Sequence, residues 1–135
     1  MIPRYARSPV NRMGRAARRK APSRRATYLV VSRRAKDRCE LCEISRVELD
    51  PHHVFGRGHL PGIPATTCEL PEMILGICRR CHTLITDGID SALDDRAKHK
   101  AMAMFCERFD LEYDPLAEDL VDEMRRLVRV LDGGE

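Results

Sequence analysis

Two cysteine pairs, Cys39-Glu40-Leu41-Cys42 and Cys78-Arg79-Arg80-Cys81, bracket a segment that contains adjacent histidines, His52-His53, and a third histidine, His82, follows the second pair at once. Each Cys-x-x-Cys brings two sulfurs to one point, and four thiolates make the full tetrahedral set of a closed zinc site. An ion held by Cys39, Cys42, Cys78 and Cys81 ties residue 39 to residue 81 and closes the loop that carries the histidines. The alternative, reduced core cysteines or two redox pairs, leaves the histidines between them without a role. Cys68 and Cys106 lack this pairing and read as structural. If zinc takes the cysteines, His52, His53 and His82 are left for other chemistry.

A metal staple suits this chain. Its 135 residues are one domain's worth, and with no tryptophan, three tyrosines and three phenylalanines the core is poor in large side chains. The formal net charge of +3 conceals an asymmetry. Residues 1–36 hold twelve of the 24 Lys and Arg and no acidic residue, while the remaining 99 carry twelve basic and all 21 acidic residues, a balance of −9. A basic arm on an acidic body reads as a chain that meets a polyanion through its arm; the plainer reading is a solvated tail. Paired cysteines favour a reducing compartment, and no apolar stretch approaches the ~20 residues of a membrane-spanning helix. The arginine-rich start lacks a transit peptide's amphipathic face, and Arg18-Arg19 lacks the apolar run of a twin-arginine signal. The expectation is a soluble, cytoplasmic protein with no membrane partner.

Three regions follow: a basic, flexible arm over 1–26, a metal-binding core over 27–90 and a helical extension over 91–135. Tyr28-Leu29-Val30-Val31 and the basic residues after it fit a helix if Leu29 and Val30 pack. Val47 to Val54 suits a short strand, with Pro51 implying an edge or bulge. A loop rich in Gly and Pro runs to about Glu72, longer than most connections. The apolar run Met73–Ile77 has strand length and pairs with 47–54 as an antiparallel hairpin. A helix should start at or just after Cys78 and end before Gly88, carrying His82 one turn in. Ser91-x-x-Asp94 resembles a capping box for a helix with the stripe Leu93, Ala97, Ala101, Met104 and Phe105. Asp114 and Pro115 open a last helix with Leu116, Leu120, Met124, Leu127 and Leu131 on one face, which serves as core or as a homodimer surface.

Adjacent histidines in a strand point to opposite faces, so one can bind a metal while the other faces a substrate. His82 on the following helix could join one of them on a second ion. Two histidines with open water positions make a poor structural site and a plausible hydrolytic one. Taken together, Cys-x-x-Cys, His-His at a strand end and Cys-x-x-Cys-His opening a helix resemble the HNH endonucleases, in particular the zinc-stabilised type of bacteria and phages. The resemblance covers roughly residues 37–87.

That resemblance implies an α+β fold with a small ββα-metal, treble-clef-like (His-Me finger) domain, and a metal-dependent DNA endonuclease activity. It makes His52 and His82 ligands of a catalytic divalent cation (magnesium, manganese, nickel or zinc) and His53 the general base. Neutral imidazole, with a reference pKa of about 6.5, suits a base that takes a proton from water near neutral pH. Arg57, Arg79 and Arg80 lie beside the site in sequence and are candidates for phosphate contacts, against the plain alternative of solvated arginines. His59 could assist, and His99, between two lysines, reads as surface. The family's middle Asn has Met73 in its place. The chain's one Asn is Asn11 and it has no Gln, so Thr66, Thr67, Glu69 or Glu72 would have to orient the base. Thr86 and Asp50 are weaker candidates for a further metal contact. The rival readings are a non-catalytic zinc-binding DNA-binding module and a protein-interaction scaffold.

Overall fold

A computed structural model describes residues 23–133. Its first element, α1 (Arg24–Ala35), begins where the Ser23 side chain accepts the Ala26 N–H and ends where Lys36 turns left-handed at φ 56°. The helix therefore takes in residues 24–26 of the expected arm, and residues 1–22 lie outside the described residues. Leu29 and Val30 do not pack as expected: they are 49% and 47% exposed, whereas Thr27, Val31 and Ala35, four residues apart, are buried. The cause is the surface that α1 meets. At Gly76 a Cβ would stand 3.4–3.5 Å from Leu49, Ala35 and Val31 carbons, so the missing side chain is what lets the Val31 and Ala35 ridge lie close to the sheet.

That sheet has two antiparallel strands, β1 (Leu49–His53) and β2 (Ile74–Cys78), in the register Leu49 with Cys78, Pro51 with Gly76 and His53 with Ile74. The expected hairpin is therefore present. Both backbone groups of Gly76 turn away from Pro51 toward Glu40, whose N–H donates to the Gly76 carbonyl at 2.9 Å and whose carboxylate accepts the Gly76 N–H at 2.9 Å. The N–H that proline lacks is not missed at this pair. Glu40 is fixed in turn by a bidentate pair with Arg34 of α1 at 2.6 and 2.7 Å, and Arg34 also donates to the Pro71 and Ile74 carbonyls.

The connection between the strands is partly helical rather than open loop. It holds a short helix, α2 (Ala65–Cys68), and a 3-10 turn over Pro71–Met73, and it buries Phe55, Ile63 and Cys68. After β2 the chain enters α3 (Arg79–Thr86) through Cys78, whose sulfur accepts the Cys81 N–H as N-cap.

Two longer helices complete the described chain, α4 (Ser91–Phe109) and α5 (Leu120–Leu131). Asp90, not Ser91, caps α4, accepting the Leu93 N–H, and Met102 rather than Met104 is fully buried. The α5 helix starts five residues later than expected. Asp119 caps it, accepting from Val121 and Asp122, while the Asp114 N–H is taken by Glu123 and Asp114 closes a turn onto Leu116 and Ala117. Leu116 is therefore outside the helix and 88% exposed. Leu120, Met124, Leu127 and Val128 are buried in one cluster with Leu75, Ile77, Phe105 and three of the four paired cysteines, Cys39, Cys78 and Cys81. The region assigned to a C-terminal extension thus shares the core of 27–90, and the α5 stripe is used as core. The architecture is α+β, with a two-stranded sheet and five α-helices among the described residues.

Candidate functional site

The first cysteine pair sits on a tight hairpin. The Cys39 N–H donates to the Ile44 carbonyl, the Glu43 N–H donates to the Cys39 carbonyl, and Arg38 bridges Ser45. The turn aims the Leu41 and Cys42 N–H groups at the Cys39 sulfur, each at 3.4 Å. The second pair lies at the junction of β2 and α3. The four sulfurs of Cys39, Cys42, Cys78 and Cys81 lie within 4.8 Å of one another, close enough to hold one metal ion. Cys42 and Cys78 are 3.8 Å apart, about the edge of a tetrahedron with metal–sulfur bonds of ~2.3 Å.

The electrostatics of the four thiols suit a cation. Burial pushes the Cys39 thiol up, but the backbone N–H groups around it outweigh that and bring it down to about 7. Burial and the neighbouring sulfurs push Cys81 far up. One thiolate forms readily and opposes the next, a conflict that a divalent ion at the centre removes. Cys68 and Cys106, raised to about 11 chiefly by burial, are structural thiols.

The histidines divide between the two faces of the sheet. His52 shares its face with Asp50, two residues earlier, and with α3. Its ring meets that of His82 edge to face, centroids 5.4 Å apart. The residue is 8% exposed, and its Nε2 is buried with no hydrogen-bond partner. Burial first, then the charge of His82, lowers its pKa to about 4, so His52 is neutral through the physiological range. His82 donates Nδ1–H to Asp50 Oδ2 at 3.1 Å, which leaves Nε2 as its lone-pair nitrogen. Asp50 also accepts from Arg79 at 2.7 and 3.3 Å, and these partners, Arg79 foremost, hold its carboxyl below the usual range. A neutral buried imidazole beside a carboxylate-oriented one is a donor pair that fits a divalent cation.

His53 faces the other way, toward α1. Its Nε2 lies 3.2 Å from Glu69 Oε1, just past α2, and the Tyr28 ring stands edge-on at 6.2 Å. Glu69 Oε2 is 3.7 Å from Arg24 at the start of α1. The His53 side chain is 6% exposed.

The structure therefore brings His52 and His82 together and sets His53 behind them. Arg57, Arg79 and Arg80 are exposed, Arg79 while bonded to Asp50. Asp50, a weaker candidate for a metal contact, accepts from His82 and Arg79. Thr86, the other weaker candidate, donates its hydroxyl to the His82 carbonyl one turn earlier. Met73, where the HNH resemblance would expect an Asn, is wholly buried, and its carbonyl accepts the Val54 N–H. His99 is not a free surface residue: its Nδ1 lies 3.2 Å from the Tyr113 hydroxyl. Among the described residues no helix is long and apolar enough to cross a membrane. In comparisons with protein-family models, curated proteins and solved structures, none matched this chain.

Proposed function

We propose that this chain is a metal-dependent DNA endonuclease of the HNH type, built on a zinc-stabilised ββα-metal, treble-clef-like core. Cys39, Cys42, Cys78 and Cys81 hold structural zinc, and His52 and His82 hold a catalytic divalent cation. The observation that carries the reading is the buried, unpartnered Nε2 of His52 beside a histidine whose own Nδ1 is engaged by Asp50. A buried polar nitrogen left unpaired costs on the order of 1–3 kcal/mol, a cost that a ligated cation offsets.

In the reaction, His53 takes a proton from a water molecule, whose oxygen attacks phosphorus as the 3′ oxygen leaves. When bound, the cation supplies charge stabilisation to the phosphorane-like transition state and the departing oxygen. Asp50 keeps the His82 ring in the orientation and tautomer a ligand needs. Arg57 in the connection between the strands and Arg80 on α3, both exposed, together with the basic residues 1–22, would give the chain phosphate contacts that carry no sequence preference.

A second reading, a non-catalytic zinc-binding DNA-binding module, is favoured by two observations. The His53 ring is nearly covered and turned toward α1, away from His52 and His82, and Met73 stands where the family has Asn. Cleavage of supercoiled plasmid by zinc-loaded protein with added magnesium or manganese decides between them. Metal-dependent cleavage that disappears in a folded, zinc-loaded His53→Ala variant supports the nuclease. DNA binding with no cleavage over a range of metals and DNA forms supports the module.

A further inference from the structure

We infer that Glu69 is the positioning residue for His53, holding its imidazole through Nε2–H so that Nδ1 is the nitrogen that receives the proton. The inference rests on the nuclease reading and adds to it a residue and a tautomer. Four side chains in the connection were candidates to orient the base, and the structure separates them. Thr66 is exposed, and Glu72 accepts from Arg108 of α4 at 2.8 Å. No hydrogen bond joins Thr67 to the histidine. Glu69 alone of the four reaches His53, at 3.2 Å from Nε2.

An ionised carboxylate only accepts hydrogen bonds, so this contact places the proton on Nε2 and the lone pair on Nδ1. The carboxylate is itself held. Glu69 follows directly on buried Thr67 and Cys68, its N–H donates to the Ala65 carbonyl, and its Oε2 lies 3.7 Å from Arg24. Beyond it, the Leu70 N–H donates to Thr67 and the Met73 N–H to Leu70, while the Met73 carbonyl accepts from Val54, the residue after His53. Both ends of the His53–Glu69 contact are therefore fastened to one short, hydrogen-bonded stretch. A carboxylate that fixes a histidine's tautomer and stabilises its protonated form is the arrangement that hydrolytic triads use, and here it occupies the role that an amide would have filled.

The test pairs a spectroscopic and a kinetic readout. Long-range nitrogen–proton NMR of zinc-loaded protein without added divalent ion should show His53 as the Nε2–H tautomer. That signature should be lost in Glu69→Ala and kept in Glu72→Ala. In plasmid or oligonucleotide cleavage, Glu69→Ala should lower kcat by about 10²-fold with KM little changed, and Glu69→Gln, which retains an acceptor, should recover most of that loss. A wild-type His53 in the Nδ1–H tautomer overturns the inference, as does a Glu69→Ala variant with unchanged or raised kcat, which would make the carboxylate a bystander or a block. Wild-type protein that cleaves no DNA over a range of added divalent metals sinks the nuclease reading and this role with it. Active wild type with an indifferent Glu69→Ala sinks the role alone.

Discussion

The two donor clusters of this chain differ in how complete they are. At the cysteine cluster four sulfurs face one another within 4.8 Å, three of the four residues are buried, and backbone N–H groups already point at Cys39 and Cys78. At the histidine cluster two imidazoles meet at 5.4 Å, one with a buried nitrogen that nothing satisfies, and one half-exposed. A closed set of four ligands leaves no room for a reactant, whereas an incomplete pair does. The cysteine site joins the knuckle to the β2–α3 junction, and the histidine site, 5 Å-scale and open, stands on the frame so formed.

The sharpest way to break this comparison is to remove the first site. Cys81→Ser, or chelation of zinc from the wild type, should abolish cooperative unfolding altogether, because metal binding at such a site is folding free energy, on the order of 10 kcal/mol; a thermal melt with metal analysis checks it. A chain that melts normally without zinc would make the cysteines ordinary core residues.

Removal of the base proposed to serve the second site should do the opposite. His53→Ala should lose cleavage by about 10²–10⁴-fold while zinc content and melting temperature stay near wild type. If the melt collapses as well, the histidine is structural.

A third test uses acid. With its folded pKa lowered to about 4 from 6.5, His52 binds a proton in the unfolded chain before it does so in the native one. Stability therefore falls as pH drops from 6.5 toward 4, by about 3 kcal/mol in all, and is level in this respect above and below that window. His52→Leu should remove this component, read as the difference between the two proteins' denaturation curves so that any acid loss of zinc is common to both.

The smallest effect belongs to the helical region. Glu123 accepts from Arg126 and from the Asp114 N–H, and these bonds, Arg126 foremost, lower its carboxyl pKa. Its stabilisation is present above the unfolded carboxyl's pKa and is lost as pH falls through the lower folded value. Glu123→Gln should cost about 1–2 kcal/mol at neutral pH and leave kcat untouched.

What the sequence made legible was whatever depends on short spacing. The two Cys-x-x-Cys pairs, the hairpin between residues 49 and 78 and the entry to α3 at Cys78 all follow from local patterns. Where several apolar residues run together, as at Tyr28–Val31, the pattern does not say which face is inward, and the answer lay in a glycine 45 residues further on from Val31. Asp114 and Pro115 carry the local pattern of a helix start, yet Asp119 caps α5, and the Asp114 N–H is taken by Glu123 from within that helix. The carboxylate partners of His53 and His82, 16 and 32 residues away, are products of the closed fold, and nothing local to either histidine specifies them.

The hold of Glu40 on Gly76 bears on how the chain behaves in a crowded solution. A two-stranded sheet has two outer edges, and unpaired edges recruit other chains. Here the knuckle that carries Cys39 and Cys42 covers the outer side of β2 with one backbone and one side-chain bond. With zinc on the four cysteines as proposed, its removal should free that knuckle and bare an edge flanked by Ile74, Leu75 and Ile77, so that the metal-stripped protein precipitates through strand pairing as it unfolds; the ion would then be a guard against self-association.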